Sequence, residues 1–281
     1  MAKTKISVVD YVNSVPLAWG ILEGQQKDSF DPVFSTPAEC ADQLAAGSVD
    51  IGLIPSIEYQ RIPGCQIIPG PTISSLSRVQ SVLLLSIMPL FRIRSVAYDS
   101  ASRASVALAR IILSKFYQAK PEFRPADPDP ARMLAENDAA LLIGDVALRH
   151  RAANMLPIAE NQAKLIRDGA EPVQEFDLME RWNNLTGLPF VFAFWVARKG
   201  FDDRSVVEQL VASRDFGLAN LNSIAKRYAE RMGLEEDYIL RYLQKNVYYY
   251  MDKDCIEALR LFYGFAAEAR MIKAARGIEF L

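Results

Sequence analysis

Short apolar segments alternate with helical patterns along most of the chain. The apolar segments are bounded by polar turn residues and are rich in branched and aromatic side chains, which is typical of buried strands. The predicted strands are residues 5–9, 33–35, 49–54, 79–86, 96–98, 139–143 and 190–196. Because helical patterns separate the earlier strands, the sequence predicts parallel sheets with right-handed crossover connections.

Capping signals mark where the predicted helices begin and end. Thr36, Pro37 and Glu39 provide an N-cap, a proline in the first turn and the acidic residue of a capping box. Gly47 follows the last turn of that helix, as glycine commonly does. A further helix is predicted over residues 102–116, and the chain is almost wholly helical after the late apolar strand.

Two successive α/β blocks joined by crossing strands predict two lobes. We expect residues 1–88 and 197–281 to form one lobe and residues 89–196 to form an inserted second lobe. The first lobe would carry the Asn13 loop and the C-terminal helices. This is the α/β, two-lobed architecture of the periplasmic-binding-protein type II fold, in which the ligand binds in a cleft between lobes that close on it.

The overall composition narrows the range of partners. The 281 residues include 32 Lys and Arg and 34 Asp and Glu, a net charge of −2 that gives no reason to expect nucleic acid or an anionic membrane surface. No apolar run is long enough to span a bilayer, and no secretory signal precedes the first strand, so we expect a cytoplasmic protein. The oligomeric state stays open.

Cysteine and histidine are scarce. Cys40, Cys65 and Cys255 lie far apart, without metal-ligand or redox-pair spacing, which suits a reducing compartment. His150 is the single histidine, and its two arginine neighbours favour a solvated helix end. Since the G-x-S-x-G, G-x-G-x-x-G and P-loop motifs are all missing, we expect no cofactor and no metal. The sequence therefore favours a binding protein, or an enzyme whose substrate supplies most of its own reactivity.

Polar residues follow several predicted strands, at the positions where ligands bind in open α/β sheets. Asn13 and Ser14 come between the first strand and a helix that starts near Pro16, so the free N–H groups there favour an anion. Ser102 and Ser105 lie at the start of a later helix, where hydroxyl and N–H groups form a cradle for a carboxylate or phosphate. Ordinary turn and cap hydrogen bonds are the competing explanation in both places.

Other strand ends carry further candidates. Gly144 allows close backbone approach, and Asp145 either caps the following helix or contacts a ligand. Pro55 and Ser56 form a similar turn after an earlier strand. Ser81 lies inside an apolar strand and needs a polar partner, which is either a ligand or a backbone carbonyl.

Aromatic residues alternate along the late strand. Phe190, Phe192 and Phe194 are separated by Val191 and Ala193, so the three rings share one face of the strand. Such a stripe packs in a core more often than around a ligand. We therefore assign the three rings to the core.

Four segments resemble motifs of one enzyme family. Residues 11–17 read YVNSVPL and resemble the signature Y-L-N-[ST]-x-P-L, and residues 50–59 read DIGLIPSIEY and resemble D-[IV]-[GA]-L-[IV]-P-[SV]-[IA]-E-[YF]. Residues 142–145 and 185–193 match two further blocks in the same order. The chain is similar in these motifs, over nearly its whole length, to the chorismate dehydratases of the futalosine route to menaquinone.

The resemblance implies a hydro-lyase activity without a cofactor, in which chorismate, a small anionic substrate, loses water to give 3-[(1-carboxyvinyl)oxy]benzoate. The family's active-site asparagine corresponds to Asn13, and its active-site serine corresponds to Ser81, with Ser86 as the alternative. Ser102 and Ser105 would hold a carboxylate, although this chain has an alanine where the family turn has a second hydroxyl. The other predicted substrate contacts are Ser14, Pro55, Ser56, Gly144 and Asp145.

Two other functions stay open. The sister enzyme of the same route makes 1,4-dihydroxy-6-naphthoate on the same fold but relies on a histidine, and here the only histidine is His150, five residues past Asp145. A non-catalytic cytosolic protein that binds a carboxylate is the second alternative. Incubation with chorismate discriminates among the three functions.

Overall fold

Two β-sheets organise the residues that the computed structural model describes, 3–154 and 173–281. The strands are β1 Thr4–Val9, β2 Phe30–Ser35, β3 Ile51–Pro55, β4 Gln66–Ser75, β5 Val82–Ser86, β6 Ser95–Tyr98, β7 Glu122–Pro125, β8 Ala139–Ile143, β9 Gln174–Asp177, β10 Phe190–Ala197 and β11 Tyr248–Tyr250. The first sheet has the order β11-β4-β10-β3-β1-β2, and the second has the order β7-β6-β8-β5-β9.

Helices connect the strands and dominate the C-terminal part. The α-helices are α1 Val15–Glu23, α2 Pro37–Ala45, α3 Arg103–Ile111, α4 Pro130–Glu136, α5 Gly144–Asn154, α6 Leu178–Thr186, α7 Ser205–Ala219, α8 Leu221–Met232, α9 Glu236–Lys245 and α10 Lys253–Glu268. The predicted capping box is confirmed at α2, where the Thr36 N–H donates to Glu39 at 2.8 Å and the Glu39 N–H donates back at 3.3 Å. Among helices in the described ranges, none is long and apolar enough to cross a bilayer.

Each sheet combines parallel pairs with an antiparallel crossing strand. β1 runs parallel to β2 and β3, and β6 runs parallel to β7 and β8. β10 is antiparallel to β3 and β4, and β5 is antiparallel to β8 and β9. The predicted α/β class and two-lobed organisation are confirmed. Strand–helix units form the parallel pairs, and the chain passes from one sheet to the other directly before β5 and again directly before β10, which are called the crossing strands.

The two crossing strands belong to the opposite sheets from those predicted. β5 joins the second sheet and β10 joins the first, whereas the predicted boundaries of 1–88, 89–196 and 197–281 place them the other way round. The chain therefore crosses between β4 and β5 and returns between β9 and β10. Both strands are buried at every position, and such a strand carries no local signal for the sheet it joins.

Several other strands also differ from the predicted pattern. The sequence pattern does not predict β4, β7 or β9, and β4 contains Pro69, Gly70 and Pro71, which ordinarily indicate a turn. β5 begins later than predicted because Gln80 adopts a positive φ of 64°, which a continuous strand does not accommodate. The tyrosines of β11 lie between two helices and form an edge strand paired with β4.

Aromatic rings fill the region where α6 and α10 pack beside β10. Trp182 packs edge-on against Phe190 with ring centroids 5.4 Å apart, and Phe190 packs against Phe262 at 4.9 Å. The Trp182 indole N–H donates to the Pro189 carbonyl at 2.9 Å, so this buried ring has a polar partner. Since α6 lies in the return crossing and β10 follows it, the cluster stabilises that crossing.

A buried carboxylate connects the two crossings. Asp177 accepts hydrogen bonds from the N–H groups of Val79 at 3.3 Å and Gln80 at 2.7 Å, in the first crossing. It also caps α6, accepting from the N–H groups of Met179 at 3.0 Å and Glu180 at 3.2 Å. One side chain therefore holds the backbone in front of β5 against the start of the return crossing.

We expect Asp177→Ala to lower the free energy of unfolding by about 3 kcal/mol or more, because it leaves several buried N–H groups without an acceptor. Asp129→Ala is the matched control, since Asp129 caps α4 through Ala131 and Arg132 but is 47% exposed. Its loss should cost about 1 kcal/mol, the usual value of an N-cap. Urea unfolding of both variants measures the difference, and equal losses would contradict the proposed link between the crossings.

Candidate functional site

A cavity lies between the two sheets, beside the ends of their central strands. The empty space within it is about 540 Å³, a figure that includes open solvent at its mouth. One side of the wall comes from the first sheet and its loops, and the other side comes from the second sheet. The predicted contacts that line it are Asn13, Pro55, Ser81, Ser102, Ser105 and Gly144.

Asn13 reaches the cavity from the loop between β1 and α1. Its side-chain oxygen Oδ1 is buried and has no hydrogen-bond partner in the parts of the chain that the structure describes. An unpaired buried acceptor costs roughly 1–3 kcal/mol, so the site is built to satisfy this oxygen in another way. A ligand in the cavity is the partner that its position allows.

Ser81 stands between the first crossing and β5. Its Oγ accepts the O–H of Tyr242 at 2.8 Å, and its carbonyl accepts the Gly144 N–H at 2.8 Å. The serine is therefore fixed from α9 on one side and from the start of α5 on the other. Sequence reasoning missed Tyr242, which belongs with Ile239 and Leu243 to what reads as an ordinary buried helix face.

The start of α3 supplies hydroxyl and N–H groups to the cavity. Ser102 occupies the N-cap position, yet its side chain caps no N–H group. Its hydroxyl is buried without a partner among the described residues, and Ser105 lines the wall one turn further along. The first N–H groups of a helix lack intrahelical partners and carry partial positive charge. These features favour the carboxylate cradle over ordinary capping.

Gly144 brings the second sheet close to Tyr11. Its φ is 56°, in the left-handed region, and a Cβ atom at this position would lie 2.8 Å from the Tyr11 ring. Both residues line the cavity. Burial, together with Asp99, Asp145 and Asp10, raises the pKa of the Tyr11 phenol, so this side chain stays neutral and able to donate a hydrogen bond at physiological pH.

Two predicted contacts, Ser14 and Ser56, lie outside the cavity wall. The Ser14 hydroxyl is fully buried and contacts the carbonyls of Val9 and Tyr11, the latter at 2.7 Å. Ser56 is also fully buried, and its carbonyl accepts the hydroxyl of Tyr263 at 2.9 Å. The Ser56 hydroxyl itself is buried without a partner among the described residues. Residues beside a ligand loop also close that loop onto the core, so substrate contact by Ser14 and Ser56 stays a prediction.

Asp145 is the third predicted contact that the cavity wall does not include. Its carboxylate accepts the N–H of Val12 at 3.1 Å, and burial raises its pKa. Since Val12 precedes Asn13 in the β1–α1 loop, Asp145 holds that loop from the opposite sheet. The residue therefore supports the site without lining it.

The positions of Ser86 and His150 relative to the cavity decide between the remaining candidate residues. Ser86 lies at the far end of β5 from Ser81 and donates its hydroxyl to the Met88 carbonyl at 2.6 Å, outside the cavity wall. His150 also lies outside the wall, and it is half-buried rather than solvated, with its Nε2 3.8 Å from Glu175. Burial lowers the pKa of His150. Of the two candidate serines, Ser81 is the one that reaches the cavity.

Arg103 is the one charged residue of the cavity wall within the described residues. Its guanidinium pairs with both carboxylate oxygens of Asp42, at 2.9 and 2.8 Å, and lies 3.4 Å from Glu58. These contacts connect α3 with elements of the first sheet across the cleft. Hydrogen bonds with Asp42 raise the pKa of Arg103, so it stays charged. Sequence reasoning did not select this residue, although it lies inside the predicted cradle.

Apolar side chains form much of the remaining wall. They include Val9, Ile73, Val82, Ile143 and Phe192. The aromatic stripe was assigned to the core, and all three rings are buried there, with the Phe190 and Phe192 ring centroids 4.9 Å apart. Phe192 is also part of the cavity wall. The wall suits a small ring compound that carries anionic groups.

Comparison with known proteins identifies a family and a relative that are similar to this chain in sequence. The family model for menaquinone biosynthesis matches residues 4–268. A chorismate dehydratase of Thermus thermophilus is 31% identical over 247 residues, which cover 87% of this chain and 88% of that protein. The family match extends through both sheets and through every residue of the cavity wall.

Solved structures share the fold at low sequence identity. Protein AF1704 of Archaeoglobus fulgidus has a TM-score of 0.69 at 14% identity, covering 96% of this chain and 98% of that one. The periplasmic aliphatic sulphonate binding protein of Escherichia coli has a TM-score of 0.62 at 14% identity, covering 99% and 93%. These similarities confirm the predicted periplasmic-binding-protein-like fold.

We expect Gly144→Ala to destabilise the protein more than a positive φ alone explains. Gly187→Ala is the matched control, because Gly187 has a φ of 73° and a Cβ atom added there would have no neighbour within 4 Å. The control should cost about 1–2 kcal/mol, the usual penalty of the left-handed region. Gly144→Ala should cost at least about 1 kcal/mol more, since its methyl group overlaps the Tyr11 ring.

Urea unfolding of the two glycine variants measures both effects. Adding Tyr11→Ala to each variant separates them, because removal of the ring should recover the excess cost at Gly144 and recover nothing at Gly187. Equal costs for the two glycines would show that the Tyr11 contact does not restrict the residue at position 144.

Proposed function

Since the chain belongs to the menaquinone biosynthesis family, we propose that it dehydrates chorismate to 3-[(1-carboxyvinyl)oxy]benzoate. Its identity to a chorismate dehydratase over most of its length supports this activity. The observation that carries the proposal is the unpaired Asn13 Oδ1 in a cavity that Ser81 also lines. The described part of the wall contains no carboxylate and no imidazole, so it suits a substrate that supplies its own base.

The proposal includes a pathway and a compartment. The product enters the futalosine route to menaquinone, and the reaction takes place in the cytoplasm. Cys40, Cys65 and Cys255 are free, buried thiols, which supports a reducing compartment. The partner is a small organic anion rather than nucleic acid or a membrane, in keeping with the nearly balanced charge.

Aromatisation of the substrate drives the reaction. The proton on C3 passes to the carboxylate of the enolpyruvyl group, and the C3–H electron pair forms a ring double bond as the C4–O bond breaks. The hydroxide that leaves C4 takes up a proton and departs as water, so the ring becomes a benzene. The protein contributes orientation of the reacting groups and exclusion of solvent.

Asn13 and Ser81 act on the reacting edge of the ring. Asn13 Oδ1 accepts the hydrogen of the C4 hydroxyl, and the Ser81 hydroxyl donates to the C4 oxygen and stabilises the negative charge that develops as this group leaves. Groups held in place before the reaction stabilise such charge without the cost of reorganisation. Apolar residues such as Val82 and Phe192 pack against the ring faces and keep water away.

The start of α3 binds a carboxylate of the substrate. Ser102 offers a hydroxyl that has no partner among the described residues, and the adjacent helix N–H groups add partial positive charge. Arg103 contributes a full charge, although Asp42 and Glu58 share it. Dipoles and one shared cation therefore hold the anion.

The structure and one assay distinguish the proposed dehydratase from two alternative functions. The naphthoate-forming sister enzyme relies on a histidine, and His150 lies outside the cavity wall, so this function is disfavoured. A carboxylate sensor would bind chorismate without converting it. Release of an aromatic product from chorismate favours the dehydratase, and a requirement for a nucleoside-bearing substrate favours the sister enzyme.

We expect Asn13→Asp to lower turnover of chorismate at least about 100-fold, because it places a negative charge where an oxyanion leaves. Ser81→Ala removes one hydrogen-bonding group and should lower turnover at least about tenfold. Ser86→Ala is the matched control on the same strand and should leave turnover near that of the unmodified protein. Ultraviolet absorbance of the aromatic product measures all three.

Normal turnover by folded Asn13→Asp and Ser81→Ala proteins would remove both residues from the mechanism. Loss of turnover in Ser86→Ala, with Ser81→Ala unaffected, would assign the active-site serine to position 86 instead. Circular dichroism of each variant establishes that the fold is retained.

We expect Ser102→Ala to raise the KM for chorismate about tenfold, with a smaller effect on kcat, since the hydroxyl binds a carboxylate that does not react. Ser100→Ala is the control, because Ser100 precedes the same helix without lining the cavity. The same absorbance assay, run over a range of chorismate concentrations, gives both constants. A change in kcat alone would place Ser102 at the reacting edge of the ring.

A further inference from the structure

Tyr242 lies behind the cavity wall and contacts it through one atom. Its side chain is 1% exposed and does not line the cavity. Its hydroxyl donates to Ser81 Oγ at 2.8 Å. The residue thus contacts a proposed catalytic group from the side away from the ligand.

The end of α9 is held against the first crossing beside this contact. Asn246 follows Tyr242 by one helical turn, and its side chain donates to the Arg78 carbonyl at 3.0 Å. Gln80 donates its side-chain N–H to Asn246 at 3.1 Å. The position of Tyr242 relative to Ser81 is therefore set by three side-chain hydrogen bonds between the same two segments.

The contact determines which way the Ser81 hydroxyl points. A hydroxyl has one hydrogen to donate, and here its oxygen already accepts the Tyr242 hydrogen. The Ser81 hydrogen is therefore directed to another acceptor, and the cavity that Ser81 lines is where a ligand offers one. Without Tyr242, the serine could turn and donate to the protein instead.

Tyr242 is suited to be a permanent donor. Burial raises the pKa of its phenol, while the hydrogen bond with Ser81 and the nearby Asn13 side chain oppose that rise. The phenol therefore keeps its hydrogen across the physiological range.

We propose that Tyr242 is a positioning residue that orients the Ser81 hydroxyl toward the substrate. This inference rests on the proposed function, in which Ser81 and Asn13 contact chorismate. Tyr242 itself touches neither the substrate nor the reacting atoms.

The test is a double-mutant cycle with Tyr242→Phe and Ser81→Ala. Tyr242→Phe should lower kcat/KM for chorismate about tenfold, the usual effect of losing an oriented hydrogen bond. In the Ser81→Ala background the same change should alter kcat/KM by less than about twofold, because no hydroxyl remains to be oriented. Equal effects in the two backgrounds would overturn the proposal, since a merely structural hydroxyl acts independently of Ser81.

Tyr249→Phe is the matched control. Tyr249 is also buried, and its hydroxyl has no hydrogen-bond partner among the described residues. Loss of that hydroxyl should leave kcat/KM unchanged in both backgrounds. A drop equal to that of Tyr242→Phe would show that removing any buried hydroxyl in this region impairs the enzyme.

Binding measurements separate this inference from the proposed function. The same cycle is measured by calorimetry with 3-hydroxybenzoate, which carries the ring and carboxylate of the product and needs no turnover. If the unmodified protein does not dehydrate chorismate, the proposed function fails, yet a binding loss in Tyr242→Phe that disappears in Ser81→Ala still supports the positioning role. If dehydration occurs but the cycle is additive in both assays, the positioning role fails and the function stands.

A second substitution covers the case in which Tyr242→Phe does not fold. A ring-fluorinated tyrosine at position 242 keeps the shape of the side chain but has a more acidic phenol. As the pH rises, this phenol loses its hydrogen and can no longer donate to Ser81, so kcat/KM should fall at a pH where the unmodified protein is unaffected. Fluorination of Tyr249 should leave kcat/KM unchanged over the same pH range. If kcat/KM does not fall in the protein fluorinated at position 242 either, the proposal is overturned.

Discussion

The cavity depends on two chain crossings being held in a fixed relation, and a buried carboxylate provides that constraint. Asp177 accepts N–H groups of Val79 and Gln80 in the outgoing crossing while it caps α6 in the return crossing. The outgoing segment leads directly into Ser81, and the return leads into β10 with Phe192. Two parts of the cavity wall are thus set by the hydrogen bonds of one side chain.

In the proposed function, the site holds an anion mainly with oriented neutral groups. Helix N–H groups, serine hydroxyls and an asparagine amide surround the cavity, and Arg103, its one charged residue in the described chain, is shared with Asp42 and Glu58. Groups fixed before the ligand arrives cost little reorganisation, so a cavity of this kind can favour charge movement in a substrate without an ionisable catalyst. The chemistry then resides in the substrate, and the protein supplies geometry.

Local patterns predicted the parts of this site that each depend on one stretch of chain. Asn13 and Ser102 follow recognisable strand-to-helix turns, and both line the cavity. Ser14 and Ser56 have the same local signature but lie outside the cavity wall, because neighbours in one turn face different directions. Phe192 was predicted only as a core residue, because period-two alternation groups it with Phe190 and Phe194 and does not show that the cavity reaches this part of the core.

The sequence by itself determined the α/β class, the capping of α2, the loops that carry Asn13 and Ser102, and the resemblance to a family. Only the tertiary structure decided which sheet each crossing strand joins and which serine of the β5 region reaches the cavity. It also brought Tyr242 to Ser81, 161 positions earlier in the chain. The reason is physical: turns and caps are encoded by residues a few positions apart, whereas pairing between distant segments depends on how the whole chain packs.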